Sequence, residues 1–208
     1  MNNDLFASDE GIALLDNNGA VTYWPNLLPS EQADALLKEL LQNSYWQQEQ
    51  IQMYGQQHQQ PRLTCWYGSY GVSAASGYRQ LTQPQPFSPG LLALKECIET
   101  RTGYRYNSVL ANLYRDGRDS VGYHADDEAI LGDRPTIASY SLGATRRFLL
   151  KHRRGEANNL GIDLPHNSLL LMTAPLQQHW QHAIGKTRRP VGERINLTFR
   201  WLQPGYNR

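Results

Sequence analysis

Two stretches of the sequence decide how this chain is interpreted: NLYRDGRDSVGYHADDE at residues 112–128 and HWQHAIGKTRRPVGERINLTFR at residues 179–200. In the first stretch, one residue separates His124 from Asp126. Residues two apart on an extended chain point to the same face, so this imidazole and this carboxylate can reach one metal ion. A third ligand must come from elsewhere, and the second stretch offers both His179 and His182. Two histidines and a carboxylate on one face of an octahedral metal leave three positions open.

Polar and apolar residues alternate along the chain after His182. The polar residues are Arg194, Asn196, Thr198 and Arg200, and the apolar ones are Ile195, Leu197, Phe199 and Trp201. This period of two predicts a strand with one face in a core and one polar face. Arginine pairs with carboxylates through parallel hydrogen bonds, so two arginines on one strand suit a dicarboxylate. A strand whose polar face is simply exposed to solvent gives the same pattern.

Several motifs, taken in order, resemble the AlkB-type Fe(II)/2-oxoglutarate dioxygenases, in the branch that directly reverses alkylation damage in DNA. The resemblance covers about residues 50–202. It is carried by N-x-Y, H-x-D, a later His and R-x-N-x-T-x-R, which are Asn112, Tyr114, His124, Asp126, His182, Arg194, Asn196, Thr198 and Arg200. It implies that His124, Asp126 and His182 hold Fe(II), with His182 rather than His179 as the third ligand.

The resemblance also implies a second cofactor, 2-oxoglutarate, whose two carboxylates would pair with Arg200 and Arg194. The other side chains expected to bind it are Asn112, Tyr114, Asn196 and Thr198. Dioxygen would be the co-substrate. The fold implied is mainly β with flanking helices, a double-stranded β-helix (jelly roll), and the many short segments with turn residues favour the same architecture.

Contacts to the substrate are expected from a lid and from the segment after Asp126. Tyr54 would be the tip of a hairpin that enters the base stack, and Arg62 would contact a phosphate or the orphaned base. Family members usually show an aromatic-x-aromatic-Ser-Gly run that stacks on the flipped base, whereas residues 72–80 read VSAASGYRQ and offer only Tyr78. Asp127, and less strongly Glu128, would contact the base itself.

We therefore expect an oxidative demethylase that repairs N-alkylated bases (1-methyladenine and 3-methylcytosine) in single- or double-stranded DNA and releases formaldehyde and succinate. RNA is a further expected substrate. The alternatives are an RNA or protein demethylase or hydroxylase on the same fold, and an inactive nucleic-acid-binding jelly roll. We expect one dioxygenase domain over residues 1–208, with an N-terminal extension and helix at 1–45, the lid at 46–87 and the catalytic core at 104–202.

The charge distribution favours a polyanionic substrate. Residues 1–60 carry eight acidic side chains and one basic one, whereas the remaining residues carry 11 and 19. Basic clusters lie at residues 151–154 and 186–189, although solvated surface clusters give the same pattern. The polar, acidic N-terminus is unlike a signal peptide, and Cys65 and Cys97 form no CxxC pair. We expect a cytoplasmic monomer that does not associate with membranes.

Two helices are predicted before the catalytic core. The first is expected to open at Pro29-Ser30 with Ser30 as its cap, and its apolar stripe runs from Ala33 to Leu41. The second is expected to start at Ser88-Pro89, with proline in its first turn, and to end by Gly103.

Overall fold

The structure, a computed structural model, describes residues 10–53, 55–69 and 84–203. The helices and strands in this part of the chain are β1 Ile12–Asp16, β2 Ala20–Trp24, α1 Ser30–Asn43, β3 Gln50–Met53, β4 Gln56–Gln59, β5 Leu63–Gly68, α2 Pro89–Thr102, β6 Ser108–Tyr114, β7 Val121–His124, β8 Ile137–Gly143, β9 Arg146–His152, β10 Leu160–Leu164, β11 Ser168–Thr173, α3 Leu176–His179, β12 Trp180–Ile184 and β13 Arg194–Arg200. A single 3-10 turn lies at Ala129–Leu131.

The strands form two antiparallel sheets that face each other, and β3 and β4 form a separate hairpin. The large sheet has seven strands in the order β1-β2-β11-β8-β13-β6-β5, and the small sheet has four in the order β10-β9-β12-β7. Six of the nine adjacent pairs in these two sheets join strands that are not consecutive in the chain, which is typical of a jelly roll. The predicted fold class is confirmed by this architecture.

Two hydrophobic clusters divide the molecule into three layers. In the first, apolar residues of α1 and α2 pack against one face of the large sheet, where Ile195, Leu197 and Phe199 of β13 are fully buried. In the second, Ile137 and Leu170 of the large sheet pack against Phe148 and other apolar residues of the small sheet. Because side chains alternate along a strand, the polar residues of β13 face the small sheet. The space between the two sheets is therefore where a site can form.

The two long helices differ in how their N-terminal ends are capped. In α2 the Ser88 hydroxyl accepts a hydrogen bond from the Leu91 N–H, and Gly103 takes the left-handed conformation with φ 76° at the other end. The predicted cap of α1 is wrong, because Ser30 is already helical and Pro29 holds the cap position without a side-chain hydrogen bond. The Pro29 carbonyl starts the helix instead, accepting from the Ala33 N–H.

Two further observations concern segments expected to lie outside the core. β5 falls in the range assigned to the lid, yet it pairs with β6 over its whole length and is an edge strand of the large sheet. β1 and β2 of the N-terminal extension likewise pair into that sheet, through β11. Among the described residues, no helix has the length and apolar character needed to cross a bilayer.

Candidate metal centre and cofactor cavity

His124, Asp126 and His182 come together at the inner face of the small sheet. β12 and β7 pair so that His182 lies directly opposite His124, and the two ring centres are 4.3 Å apart. Asp126 follows His124 by two residues, and one possible ligand atom from each of the three side chains lies within 4.8 Å of the others. The one-residue spacing brings His124 and Asp126 together, and the antiparallel pairing of β7 with β12 adds His182 from a distant part of the chain.

Asp126 is the charged centre of this cluster. It is 0% exposed, and its Oδ1 accepts a 2.6 Å hydrogen bond from Arg200 Nη2. Burial acts to raise the pKa of the Asp126 carboxyl, but Arg200 and the two histidines outweigh it and hold that pKa below its ordinary value. Burial, aided by His124, lowers the pKa of His182 to about 3. At neutral pH the cluster therefore offers an ionised carboxylate and a neutral imidazole at His182, the forms that bind metals.

The donor set fits a divalent transition metal. Asp126 Oδ2 and His182 Nδ1 are buried polar atoms without a hydrogen-bond partner in the described part of the chain. A buried carboxylate oxygen left without a partner is costly unless it meets a cation. Two imidazoles and one carboxylate oxygen, grouped on one side, match the ligands of non-haem Fe(II) sites.

The cluster opens into a cavity of about 1020 Å³ between the two sheets. All four polar residues of β13 line this cavity, together with Asn112 and Tyr114 of β6. Arg194 is 1% exposed and donates to the Ser141 hydroxyl through Nη2, while its Nε and Nη1 have no partner in the described residues. Its guanidinium carbon lies 5.3 Å from the centre of the Tyr114 ring.

Burial lowers the pKa of Arg194 to about 10, which leaves it a cation at neutral pH. A buried cation with two unused donors fits a carboxylate, so the residues present suit one end of a small diacid. Arg200, at the other end of β13, lies beside Asp126 and thus beside the metal cluster. Arg194 and Arg200 therefore lie at the two ends of the strand that forms this wall of the cavity.

The remaining residues predicted to bind 2-oxoglutarate are in the cavity wall, but most already have protein partners. Asn112 Oδ1 accepts from Arg62 Nε at 2.9 Å. Asn196 Nδ2 donates to the Ser139 hydroxyl, and Asn196 Oδ1 accepts from the Thr198 hydroxyl. This hydrogen-bonded row stiffens the wall between the two arginines. Its direct role in binding the diacid stays a prediction.

The residues predicted to contact substrate are distributed differently from expectation. Arg62 and Glu128 line the cavity, whereas Asp127 is not among the lining residues and forms a 2.5 Å ion pair with Arg153. Of the two carboxylates, Glu128 is therefore the one in the cavity wall, whereas Asp127 pairs with Arg153, the residue after β9. Which of the two contacts the base stays a prediction. Tyr54 and Tyr78 lie outside the described residues, so their predicted contacts with DNA stay predictions.

His179 and His182 are clearly separated by the fold. His179 ends α3 and its ring stacks on His152 at 6.3 Å, away from the metal cluster. His182 is the third residue of β12 and faces inward, with its ring packed on Phe148 at 5.3 Å. The register of β12 thus leaves His182 as the histidine that can complete the cluster.

Sequence reasoning missed several polar residues around the site. Gln60 lines the cavity and donates through Nε2 to Glu49, which also accepts from the Thr64 hydroxyl. Gln177 contacts the backbone of Asp126. Arg146 is buried and donates to the carbonyls of three loop residues, Asp116, Asp119 and Gly185. No local pattern marks these residues, because each acts through a partner distant in sequence.

Comparison with known proteins places the chain in a family. The family model described as the 2OG-Fe(II) oxygenase superfamily matches residues 20–200. Alpha-ketoglutarate-dependent dioxygenase alkB homolog 3 from Homo sapiens is 39% identical over 194 residues, which cover 88% of this chain and 66% of that protein. This chain therefore spans just under two thirds of that relative's length. DNA oxidative demethylase ALKBH2 from Mus musculus is 34% identical over 188 residues, which cover 86% of this chain and 78% of the relative.

Solved structures share the fold at low identity. The structure of OsALKBH1 superposes with a TM-score of 0.64 at 16% identity, covering 89% of this chain and 99% of that one. A prolyl hydroxylase from Trichoplax adhaerens, in complex with a hypoxia inducible factor peptide fragment, gives a TM-score of 0.59 at 16% identity over 90% and 84% of the two chains. The extent of the family match and the identity to the alkB homologues lead to one conclusion: this chain belongs to the AlkB-type 2OG-Fe(II) oxygenases.

Proposed function

We propose that this protein is an Fe(II)- and 2-oxoglutarate-dependent oxidative demethylase that restores N-alkylated bases in DNA, such as 1-methyladenine and 3-methylcytosine. The observation that carries the proposal is the His124, Asp126 and His182 cluster in the same cavity as the buried, incompletely paired Arg194. Similarity to a protein named DNA oxidative demethylase supports DNA as the polymer.

In this proposal His124, Asp126 and His182 hold Fe(II), and Arg194 binds the distal carboxylate of 2-oxoglutarate. Bound Fe(II) with 2-oxoglutarate would supply the activation of dioxygen for oxidation of an alkyl C–H bond. The overall reaction would consume dioxygen and 2-oxoglutarate, release succinate and carbon dioxide, and place a hydroxyl group on the N-alkyl carbon. The hydroxyl proton would then be lost as the C–N bond breaks, which would release formaldehyde and return the bonding electron pair to the base nitrogen.

The chain's own residues would perform three tasks. Arg200 holds Asp126 ionised and fixes one of its oxygens, leaving the other for the metal. Phe148 packs on the His182 ring and excludes water from that side. A cavity of about 1020 Å³ is at the upper end of the usual range for ligand pockets, which leaves room for a base beside the diacid.

The base itself would have to leave the helix, since its alkyl group cannot reach a buried metal while stacked. Lining residues from both edges of the cavity, Arg62 on one side and Glu128 on the other, are positioned to contact an extruded nucleotide. We propose Glu128, rather than Asp127, as the carboxylate that contacts the base.

The test is incubation of the purified chain with Fe(II), 2-oxoglutarate and air, using matched DNA and RNA oligonucleotides that carry 1-methyladenine or 3-methylcytosine. Mass spectrometry should detect the unmodified base, with formaldehyde and succinate formed in equal amounts, and the Asp126→Asn variant should give none. Turnover on a peptide with no turnover on any oligonucleotide would refute the repair function. Oligonucleotide binding without succinate formation would support the inactive alternative.

A further inference from the structure

Gln177 is a buried side chain that joins the two halves of the metal cluster. It belongs to α3, the short helix that leads directly into β12, and it is 2% exposed. Its Oε1 accepts the backbone N–H of Asp126 at 3.0 Å, and its Nε2 faces the sulfur of Met172 at 3.7 Å. A single carboxamide thus links the segment carrying Asp126 to the segment carrying His182.

The orientation of this carboxamide is fixed by its partners. A backbone N–H can only donate, so the group that faces Asp126 N must be the amide oxygen. The NH₂ group then faces the thioether, which is a weak acceptor. Rotating the amide by half a turn would set two donors against each other at Asp126, and this makes the observed orientation the stable one.

A second connection holds the same segment in place. Arg153 Nη2 donates to the backbone carbonyl of Gln177 at 3.1 Å and pairs with Asp127 Oδ2 at 2.5 Å. Asp126 is thus linked to α3 by the Gln177 side chain. Asp127 is linked to the Gln177 backbone by Arg153, which bonds to both. At the other end of Asp126, Arg200 holds the carboxylate. The Asp126 backbone and carboxylate are therefore restrained independently.

We propose that Gln177 is a positioning residue for the metal carboxylate: by holding the Asp126 backbone against α3, it sets the distance between Asp126 and His182 and so the affinity of the cluster for its metal. The inference rests on the proposed function only in that the cluster binds a divalent metal. Outer groups that orient metal ligands typically change metal affinity by roughly 10- to 100-fold when they are removed. The same range is expected for Gln177.

The experiment is titration of the metal-free protein with Co²⁺ alone, following the visible absorption of the bound ion. Gln177→Leu removes both hydrogen bonds of the carboxamide. We expect the dissociation constant of this variant for Co²⁺ to rise by roughly 10- to 100-fold, with an altered absorption spectrum. Gln177→Asn keeps the amide but shortens its reach, so we expect an intermediate loss. Gln178→Leu is the matched control: this neighbouring side chain is exposed, donates through Nε2 to the Asp133 carbonyl at 3.0 Å, and should leave the titration unchanged.

Several outcomes would overturn the proposal. One is an unchanged Co²⁺ affinity and spectrum in Gln177→Leu, or in Gln177→Asn if the leucine variant does not fold. Another is an equal loss in Gln178→Leu. A wild-type protein that binds Co²⁺ but repairs no oligonucleotide would remove the proposed function while leaving the positioning role intact, so the two failures are distinguishable.

Discussion

At the scale of single residues, the three members of the metal cluster differ in how far the sequence predicts them. His124 and Asp126 could be predicted together, because one intervening residue places them on the same face of an extended chain. The choice of His182 over His179 could not be derived from local pattern, since both are histidines in the same stretch. It depends on β12 starting at Trp180, which turns His182 inward and leaves His179 on α3.

The two histidines give a direct prediction. His182→Ala should abolish Fe(II) binding and demethylation, because it removes one of the three proposed metal ligands. His179→Ala should keep both properties near the wild-type level, because its ring stacks only on the periphery at His152. Metal binding by titration and succinate formation measure the two effects. Full activity in His182→Ala with loss in His179→Ala would reverse the ligand assignment.

The low pKa of His182 predicts a pH-dependent stability of the metal-free protein. An unfolded histidine titrates near pH 6.5, whereas burial lowers the pKa of folded His182 to about 3. The unfolded chain therefore binds the additional proton first, and stability present above pH 6.5 is lost as the pH falls from about 6.5 toward 3. Lowering the pH from 7.5 to 5.5 should cost about 1.4 kcal/mol through this residue alone.

The measurement is denaturant unfolding of the metal-free wild type and of His182→Gln at both pH values. The glutamine variant keeps a polar side chain that does not titrate, so its free energy of unfolding should fall by about 1.4 kcal/mol less than that of the wild type over this interval. An identical pH dependence in the two proteins would contradict a depressed His182 pKa.

At the scale of elements, β13 shows what a periodic pattern can and cannot predict. Alternation from Arg194 to Arg200 correctly predicted which residues enter the core and which face the other sheet. Trp201 was grouped with the apolar face, but it lies just beyond the strand and is 46% exposed, because the ladder with β6 ends at Arg200. Gln177 carried no such pattern, since its partner Asp126 is 51 residues away.

Arg194, the first residue of β13, supports a prediction about the binding of 2-oxoglutarate. Arg194→Lys keeps the charge but cannot form paired parallel hydrogen bonds. Losing one charge-assisted hydrogen bond should raise the KM for 2-oxoglutarate by about 10- to 100-fold, with little change in the KM for the oligonucleotide. Arg147→Lys on β9, an exposed residue paired with Asp163, is the matched control and should change neither value. A rise confined to the oligonucleotide KM would place Arg194 in substrate binding instead.

At the scale of the whole molecule, the three layers determine where a substrate can enter. α1 and α2 cover the outer face of the large sheet, so the opening must lie elsewhere. β5 ends the strand order of the large sheet and β7 ends that of the small sheet. Arg62, just before β5, and Tyr123, within β7, both line the cavity. We infer that the opening lies between these two edges, a feature that no local sequence pattern could have predicted because it depends on the closure of both sheets.

A basic segment at residues 186–189 begins in the cavity wall. Lys186 lines the cavity, and the exposed Arg188 and Arg189 follow it in the segment after β12. If this basic segment contacts phosphates, binding of a single-stranded oligonucleotide to the metal-free protein should weaken with salt. Each lost phosphate contact should reduce the slope of log K against log salt by about 0.7. The double variant Arg188→Gln/Arg189→Gln should therefore lower the slope by about 1.4.

The matched control for this charge change is Lys38→Gln/Arg105→Gln, which removes two positive charges from the side of the molecule covered by the helices. Lys38 is exposed on α1, and Arg105 is largely exposed just after α2. Glu99, the ion-pair partner of Arg105, keeps its second ion pair with Lys95 when Arg105 is replaced. Fluorescence anisotropy between 50 and 200 mM salt, a range over which phosphate contacts change affinity by orders of magnitude, gives both slopes. Equal slopes in the two double variants would mean that net charge alone attracts the oligonucleotide. A smaller slope only in Arg188→Gln/Arg189→Gln would mean that the strand crosses the cavity opening beside Lys186.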